Sequence, residues 1–538
     1  MDSDLLSEVN AWIADDPDAK TAALLSDLVA AGDESTLRKY FAGLLEFGTA
    51  GLRGPLGPGP SCMNQAVVGR TAAGLVKFMK EHSLTSVVIG RDARHGSEIF
   101  EKMSAQIFSG AGLNVSVLPR ALPTPVLAFA VNELGADVGV MVTASHNPGS
   151  DNGYKVYLGG SVDGVLYRGS QIISPVDKEI FAHMKSVQSL KSLPRGDKWH
   201  TLDEEIVEKY VERTKILATR PGELKIVYTA MHGVGTKTLQ RVFHRAGFPS
   251  LILVQAQSQP DPDFPTLAFP NPEEVGALDL AIETAQTFDA DLLIANDPDA
   301  DRCSVAVKEK DLTWRALRGD EIGAIFGEVI ARNAHSGTLS NSIVSSTILS
   351  KIASAYGLKF EETLTGFKYI AKIPNLIFGY EEAIGFCVDS MTVNDKDGIS
   401  AALLIAQIAT DLKEQGKSLI VLLDEIWKKY GFHATEQISI RVTDISTITN
   451  VLAKLRNNPV NEISGLKVLK IDDLLKPANS LPPTDGLRFI LEKNIRIIVR
   501  PSGTEPKIKC YIEVVNPEKS IALSLLEQLR PSLRELLS

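Results

Sequence analysis

Three carboxylates stand at alternate positions in Asp297-Pro298-Asp299-Ala300-Asp301. In an extended segment alternate side chains share one face. Three clustered negative charges repel unless a cation neutralises them, and oxygen ligands select a hard cation such as Mg²⁺. The EF-hand pattern is absent, since Lys308 stands where that loop needs its glutamate. The alternative is a solvated acidic loop. A second loop, Thr143-Ala144-Ser145-His146-Asn147-Pro148, presents a serine at the end of an apolar run. A serine hydroxyl is a poor nucleophile without a base, a metal or a preorganised anion site. His146 is adjacent in sequence, but neighbouring side chains in an extended loop diverge. Ser145 therefore reads either as a nucleophile or as a turn or cap residue. A third loop, Arg500-Pro501-Ser502-Gly503-Thr504-Glu505-Pro506-Lys507, offers a guanidinium, two hydroxyls and glycine-permitted N–H donors. That is the composition of a phosphate cradle, or of an ordinary turn. It lacks the GxxxxGK[ST] of a P-loop, so a nucleoside triphosphate is not implied.

Each loop leaves a short apolar run. Ser86 to Gly90, Val138 to Val142, Leu292 to Ala295, Leu376 to Phe378 and Ile495 to Val499 all empty into polar segments. Continuous apolar runs of this length suit strands buried on both faces. Helical patterns lie between them, over Gly69 to Lys80, Leu278 to Thr287 and Ile399 to Lys413. Alternating strands and helices predict an α/β class, with ligands beyond the carboxyl ends of the strands. Residues 1–44 read as a helical extension. Breaks at Arg220-Pro221-Gly222, near Ser336-Gly337 and near Tyr430-Gly431 predict segments 45–220, 221–335, 336–431 and 432–538.

The chain has 538 residues, 44% hydrophobic and 23% charged, which suits several globular domains. Acidic residues exceed basic ones, 66 against 56, for a net charge of −10. That balance argues against a nucleic-acid binder. Four dispersed cysteines form no CxxC pair and imply neither a zinc site nor a disulfide framework. No apolar stretch reaches the roughly 18 residues of a membrane span, and the start, Met1-Asp2-Ser3-Asp4, has no basic leader. The expectation is a reduced, cytoplasmic enzyme that engages no membrane.

Taken together the loops resemble the α-D-phosphohexomutase superfamily. The resemblance rests on TASHNP at 143–148, DPDADR at 297–302, GYEEAIG at 379–385 and RPSGTEP at 500–506, in that order, and runs from about residue 45 to the end. Phe47 to Gly54 (FGTAGLRG) and the chain length are similar to the long phosphoglucomutase and phosphopentomutase-like branch. The resemblance implies three similar α/β domains plus a smaller C-terminal α+β phosphate-binding domain around a central cleft. It implies that Ser145 carries a phosphoryl group, that Asp297, Asp299 and Asp301 hold Mg²⁺ with an oxygen of that group, and that Arg53 and Arg302 supply positive charge. A hexose 1,6-bisphosphate would be both intermediate and activator. Lys155 falls at a family active-site lysine, with acid–base and phosphate-contact roles both open. Lys396, in Asp395-Lys396-Asp397, matches a proposed general base or is only an ion pair. His146, Thr365, Gly366, Glu381 and Glu382 would contact the sugar. Arg500, Ser502, Gly503 and Thr504 would grip the phosphate not being transferred. Ala383 and Phe386 depart from relatives that carry serine and histidine there, which weakens a mannose assignment.

The functional expectation is a phosphoglucomutase acting on small sugar phosphates. Phosphopentomutase and phosphomannomutase activity are its rivals within the class. A sugar-phosphate phosphatase and an inactive binding protein are the alternatives from other classes. A phosphatase has no need of a second phosphate grip, and retention of Ser145, the three aspartates, Arg302 and Arg500 argues against an inactive protein. The sequence leaves the oligomeric state open.

Overall fold

A computed structural model describes residues 2–442, 445–477, 481–502 and 507–537. The chain forms two compact units, Met1–Leu317 with Gly385–Asp411, and Arg318–Ile384 with Leu412–Ser538.

The first unit opens with three helices, Ser3–Asp15, Ala19–Ala31 and Glu34–Tyr40, capped by Asp2, Asp18 and Asp33. Each cap carboxylate accepts a first-turn N–H that has no partner within the helix. A mixed sheet follows. Its order is Phe47–Gly48, Gly51–Pro55, Asp151–Leu158, Val138–Val142, Ser86–Arg91, Asn114–Val117 and His200–Thr201, with Ser170–Gln171 beside Asp151–Leu158. Val138–Val142 is buried along its whole length, as its unbroken apolar run predicts. It runs parallel to Ser86–Arg91 and antiparallel to Asp151–Leu158. Helices Gln65–Glu81 and Ser97–Gly110 supply Val67, Leu75, Phe78, Phe100 and Phe108 to the same core. A second sheet runs Ile252–Leu253, Ile226–Thr229, Leu292–Ala295, Ser304–Lys308 and Trp314–Ala316. Its first three strands are parallel and the last two antiparallel.

In the second unit Lys359–Thr363, Thr338–Ser342 and Leu376–Glu381 are parallel. The chain then changes character. Phe432–Arg441, Lys507–Asn516, Ile495–Pro501, Leu487–Leu491, Leu466–Asp473 and Glu462–Ile463 make a six-stranded antiparallel sheet. One face carries Ile495, Ile497, Val499, Cys510, Ile512 and Val514 into a core completed by the helix Lys519–Leu537. Leu487–Leu491 alternates as a strand buried on one face does. Ile497–Val499 and Cys510–Val514 are instead buried without a break, because Ile498 and Tyr511 pack on the opposite face with Ile343 and Val344. The four cysteines are buried and free. Among the described residues no helix is long and apolar enough to cross a membrane.

Candidate active site

The sequence-predicted loops of the first unit meet at the carboxyl ends of its strands. Ser145 follows Val138–Val142 and takes a left-handed backbone conformation, φ 52°. Its Oγ donates to Asp297 Oδ2 at 2.6 Å, and His146 Nδ1 lies 3.3 Å away. The serine is thus buried and held against the carboxylate loop. Asp297, Asp299 and Asp301 are buried, and an oxygen from each lies within 4.8 Å of the others.

Two lysines enter this cluster. Lys155 Nζ donates to Asp299 Oδ2 at 2.7 Å and to Asp301 Oδ2 at 2.9 Å. Lys396 Nζ lies 3.1 Å from Asp301 Oδ2 and 3.8 Å from Asp395. Asp397, the other flanking carboxylate, accepts from Tyr210 Oη at 2.9 Å and from the Ile399 and Ser400 amides. Within the Asp-Lys-Asp stretch Lys396 thus pairs with Asp395 but not with Asp397. Asp397 starts a helix, and Lys396 extends to the metal loop. Glycines make this approach possible. A Cβ on Gly385 would strike the Lys396 stem, and one on Gly398 would strike the Arg302 carbonyl. Arg302 Nε lies 3.9 Å from Asp301 and 4.0 Å from Asp297. Arg53 donates to Asn147 Oδ1 at 3.3 Å, and its buried Nε has no hydrogen-bond partner among the described residues.

The electrostatics follow from burial and crowding. Burial, then Asp299 and Asp301, pushes Asp297 up to about 8. Burial is the largest single influence on Asp299 and Asp301 and opposes their ionisation, aided at Asp299 by the charge of Asp301. Lys155 and Thr124 at Asp299, and Lys155, Lys396 and Arg302 at Asp301, together overcome it. Both fall below the ordinary carboxylate value. Burial, with Arg302 and Arg53, drives His146 far below the ordinary imidazole value, so it is neutral at pH 7. The cluster fits a divalent cation. Asp299 Oδ1 and Asp301 Oδ1 are buried and have no hydrogen-bond partner among the described residues. The oxygen spacing approaches the roughly 3–4 Å expected around Mg²⁺ with ligands at 2.0–2.1 Å.

Three supports escaped the sequence reading. The first is Arg94, whose guanidinium donates to the carbonyls of Ser145 (2.6 Å), Asn147 (2.5 Å), Pro148 (2.7 Å) and Asp151 (3.1 Å). Asp92 lies 3.4 Å from its Nε, and the Phe264 ring lies under it at 5.0 Å. The strand-to-loop pattern of Arg91-Asp92-Ala93-Arg94 signalled a functional loop but not this role. The second is Thr124, which donates to Asp299 Oδ2 at 2.6 Å. The third is Gln171, which donates to Asp395 Oδ2 at 2.8 Å. Local sequence carries no sign of the last two, because both bonds are long-range.

The second unit holds the other expected residues. Gly366 has φ 117°, which favours glycine, and its N–H donates to Glu381 Oε1 at 2.8 Å. Glu382 Oε2 accepts from Ser342 Oγ (3.1 Å) and Ser345 Oγ (3.2 Å), while its N–H donates to Ser345 Oγ at 3.0 Å. Thr365 and Ala383 are half-buried in the same loops. Arg500 and Ser502 are half-buried at the end of Ile495–Pro501, and the Ser502 amide donates to the Lys507 carbonyl at 2.8 Å. Gly503 and Thr504 lie outside the described residues. Tyr511 was not anticipated. Burial and the charge of Glu382 raise its hydroxyl, while Arg500, hydrogen-bonded to it, and Glu381 act in opposite senses. Tyr511 thus connects the sugar-loop carboxylates with the expected phosphate grip.

The buried serine, at the end of a strand of the first sheet, stands against three carboxylates that follow a strand of the second. Four successive family models match the chain. These are the phosphoglucomutase/phosphomannomutase alpha/beta/alpha domains I, II and III at residues 44–191, 204–310 and 318–430, and the C-terminal domain at 438–528. The chain belongs to the phosphoglucomutase/phosphomannomutase family, within the α-D-phosphohexomutase superfamily, and is a phosphomutase, an intramolecular phosphotransferase. It is 46% identical to a protein of Haemophilus influenzae named probable phosphomannomutase, over 88% of this chain and 98% of that one. It is 34% identical to the phosphopentomutase of Homo sapiens, over 100% of this chain and 95% of that one. Among solved structures, the open form of parafusin, a phosphoglucomutase of Paramecium, shares the fold. The TM-score is 0.71 at 19% identity, over 92% of this chain and 95% of that one.

Proposed function

We propose that the protein interconverts glucose 1-phosphate and glucose 6-phosphate through a phosphoserine at Ser145 and a bisphosphorylated sugar. The observation that carries the mechanism is Ser145 Oγ, buried 2.6 Å from Asp297 Oδ2 inside the carboxylate cluster. Asp297, Asp299 and Asp301 would hold Mg²⁺, which when bound supplies positive charge to the phosphoryl group in transfer. In the first transfer the bond from Ser145 Oγ to phosphorus breaks and a bond from a sugar hydroxyl to phosphorus forms. The hydroxyl proton passes to a base, for which we assign Lys396, and the departing Ser145 Oγ takes a proton from the Lys155 ammonium in the same cluster. The bisphosphorylated sugar then reorients. In the second transfer Lys155 takes that proton back, Lys396 returns its own to the freed sugar oxygen, and the other phosphoryl returns to Ser145. Arg53 and Arg302 stabilise negative charge on that group. Lys155 fixes Asp299 and Asp301, and neutral His146 lies beside the nucleophile. Glu381 and Glu382 accept from ring hydroxyls, with Thr365 and Gly366 shaping the adjoining loop. Arg500, Ser502, Gly503 and Thr504 grip the distal phosphate in both orientations.

By segment, 45–220 carries the phosphoryl group, 221–335 the metal, 336–431 the sugar contacts and 432–538 the distal phosphate, with 1–44 as a helical extension. A cytoplasmic setting suits a sugar-phosphate substrate. Two other substrates have specific support, mannose 1-phosphate from the Haemophilus relative and a pentose 1-phosphate, for which ribose 1-phosphate serves in the assay, from the human one. A parallel rate assay with Mg²⁺ and a trace of glucose 1,6-bisphosphate decides among them. A kcat/KM for glucose 1-phosphate at least about tenfold above the others supports the reading. A ribose or mannose preference reassigns the substrate, and steady release of free phosphate reassigns the protein as a phosphatase.

A further inference from the structure

On the face of Ile495–Pro501 opposite its apolar core stand Arg496, Ile498 and Arg500, directly across from Glu513, Tyr511 and Lys509. Arg496 and Glu513 form a 3.1 Å ion pair, their side chains only 12% and 3% exposed. Glu362 lies 3.7 Å from the same guanidinium. Arg496 also donates to the carbonyls of Ile343, at 3.1 Å, and Ser345. Glu513 accepts from Ser346 Oγ at 2.6 Å and from the Thr347 amide at 2.8 Å. Ile343, Val344, Ile498 and Tyr511 pack together beside this pair. One buried pair therefore holds the whole turn at 343–347. That turn carries Ser345, which binds Glu382 through both its amide and its carboxylate.

We propose that Arg496 is a positioning residue. It fixes the sugar-loop carboxylate Glu382 relative to Arg500 on its own strand, and so grades sugar phosphates by the distance from ring hydroxyl to distal phosphate. The inference rests on the functional reading above, because it assigns Glu382 and Arg500 to the two ends of one substrate. The strand itself sets the gauge. Four residues of extended chain span about 13 Å between Cα atoms, and the antiparallel partner strand prevents slippage. Two long polar side chains in a buried pair are a poor source of net stability compared with apolar residues, so their placement here is accounted for by what they hold.

The test uses the full chain with Mg²⁺ and glucose 1,6-bisphosphate, comparing glucose 1-phosphate with ribose 1-phosphate. In Arg496→Met the ratio of the two kcat/KM values is expected to change at least about fivefold, through KM, with kcat within about threefold. Ser345→Ala should shift the ratio in the same direction, and Arg496→Lys should restore part of it. The double variant Arg496→Met/Glu513→Gln leaves no unpaired buried charge and guards against misfolding. It too must show the shift. If both substrates lose equally, or the folded double variant keeps the wild-type ratio, the gauge is refuted. Should the wild type turn over neither substrate, the functional reading fails by itself. Amide exchange at Glu382 then decides the positioning separately. Protection lowered about tenfold or more in the double variant supports it, and unchanged protection overturns it.

Discussion

The centre around Ser145 and the residues expected to hold the substrate differ in how they are built. Ser145, Lys155 and the three aspartates are essentially buried. Each is pinned by charge, the lysine by two carboxylates and the serine loop by the four carbonyl bonds of Arg94. Glu381, Glu382, Arg500 and Ser502 are half-buried, and buried groups such as Ser345 and Tyr511 support them from behind. The contrast has a physical basis. Phosphoryl transfer gains from exclusion of water and fixed charges, because a low dielectric strengthens every interaction with the transferring group. A grip that must release a sugar phosphate and take it back reversed gains from solvent access. The first region should therefore govern kcat and the second KM.

The largest expected effect tests the first half of that statement. Ser145→Ala should lower turnover by about 10⁴-fold, some 5–6 kcal/mol on the barrier, yet leave sugar-phosphate affinity within about tenfold, or 1.4 kcal/mol. Calorimetric titration beside a rate assay reads both, and wild-type-like turnover would sink the phosphoserine mechanism. Chelation comes next. Removing divalent cation should slow turnover by about 10²–10³-fold, several kcal/mol of charge stabilisation, with recovery when Mg²⁺ is restored. A chelated enzyme at full speed would dissociate the carboxylate cluster from catalysis.

Arg94→Met sharpens the comparison further, since Arg94 is placed to support the serine loop without serving as nucleophile or base. A displacement of about 1 Å in a reacting group lowers rate by roughly 10²-fold, so kcat should fall about that much with KM within about threefold. A change confined to KM would mean the loop holds its shape without the guanidinium. Arg500→Ala is the converse. Loss of a charged hydrogen bond to phosphate, about 1.5–3 kcal/mol, should raise KM roughly 10–100-fold while kcat stays within about threefold. A collapse of kcat at constant KM would place Arg500 with the chemistry instead. The smallest effect is expected from Thr124→Val, which deletes one neutral donor to Asp299. About 1 kcal/mol, or fivefold in kcat, is the scale.

Much of the architecture could be read in advance because it depends on local pattern. The apolar runs at 86–90, 138–142, 292–295 and 495–499 became the strands Ser86–Arg91, Val138–Val142, Leu292–Ala295 and Ile495–Pro501. The helical patterns became Gln65–Glu81, Asp279–Thr287 and Gly398–Glu414. Residue type alone drew notice to the triple aspartate, since crowded carboxylates once buried must be neutralised, and here two lysines and a raised Asp297 take part in that. At Lys396 the local pattern told only part. Flanking Asp395 does stay 3.8 Å from the ammonium, but the shorter contact, 3.1 Å, is to distant Asp301, and Asp397 is committed to Tyr210 and to a helix start.

The amino-acid sequence by itself determined the alternating elements, the loops at their carboxyl ends and the residue types able to bind a cation and phosphate. Hydrophobic periodicity and charge repulsion act over a few residues, so a short window contains them. Only the tertiary structure decided that Arg94 clasps the serine loop, that Thr124 and Lys155 share Asp299, and that Arg496 reaches the turn behind Glu382. Those bonds join residues 51 to 175 positions apart in the chain. Their partners are chosen by packing of whole elements, which no local pattern of side chains records.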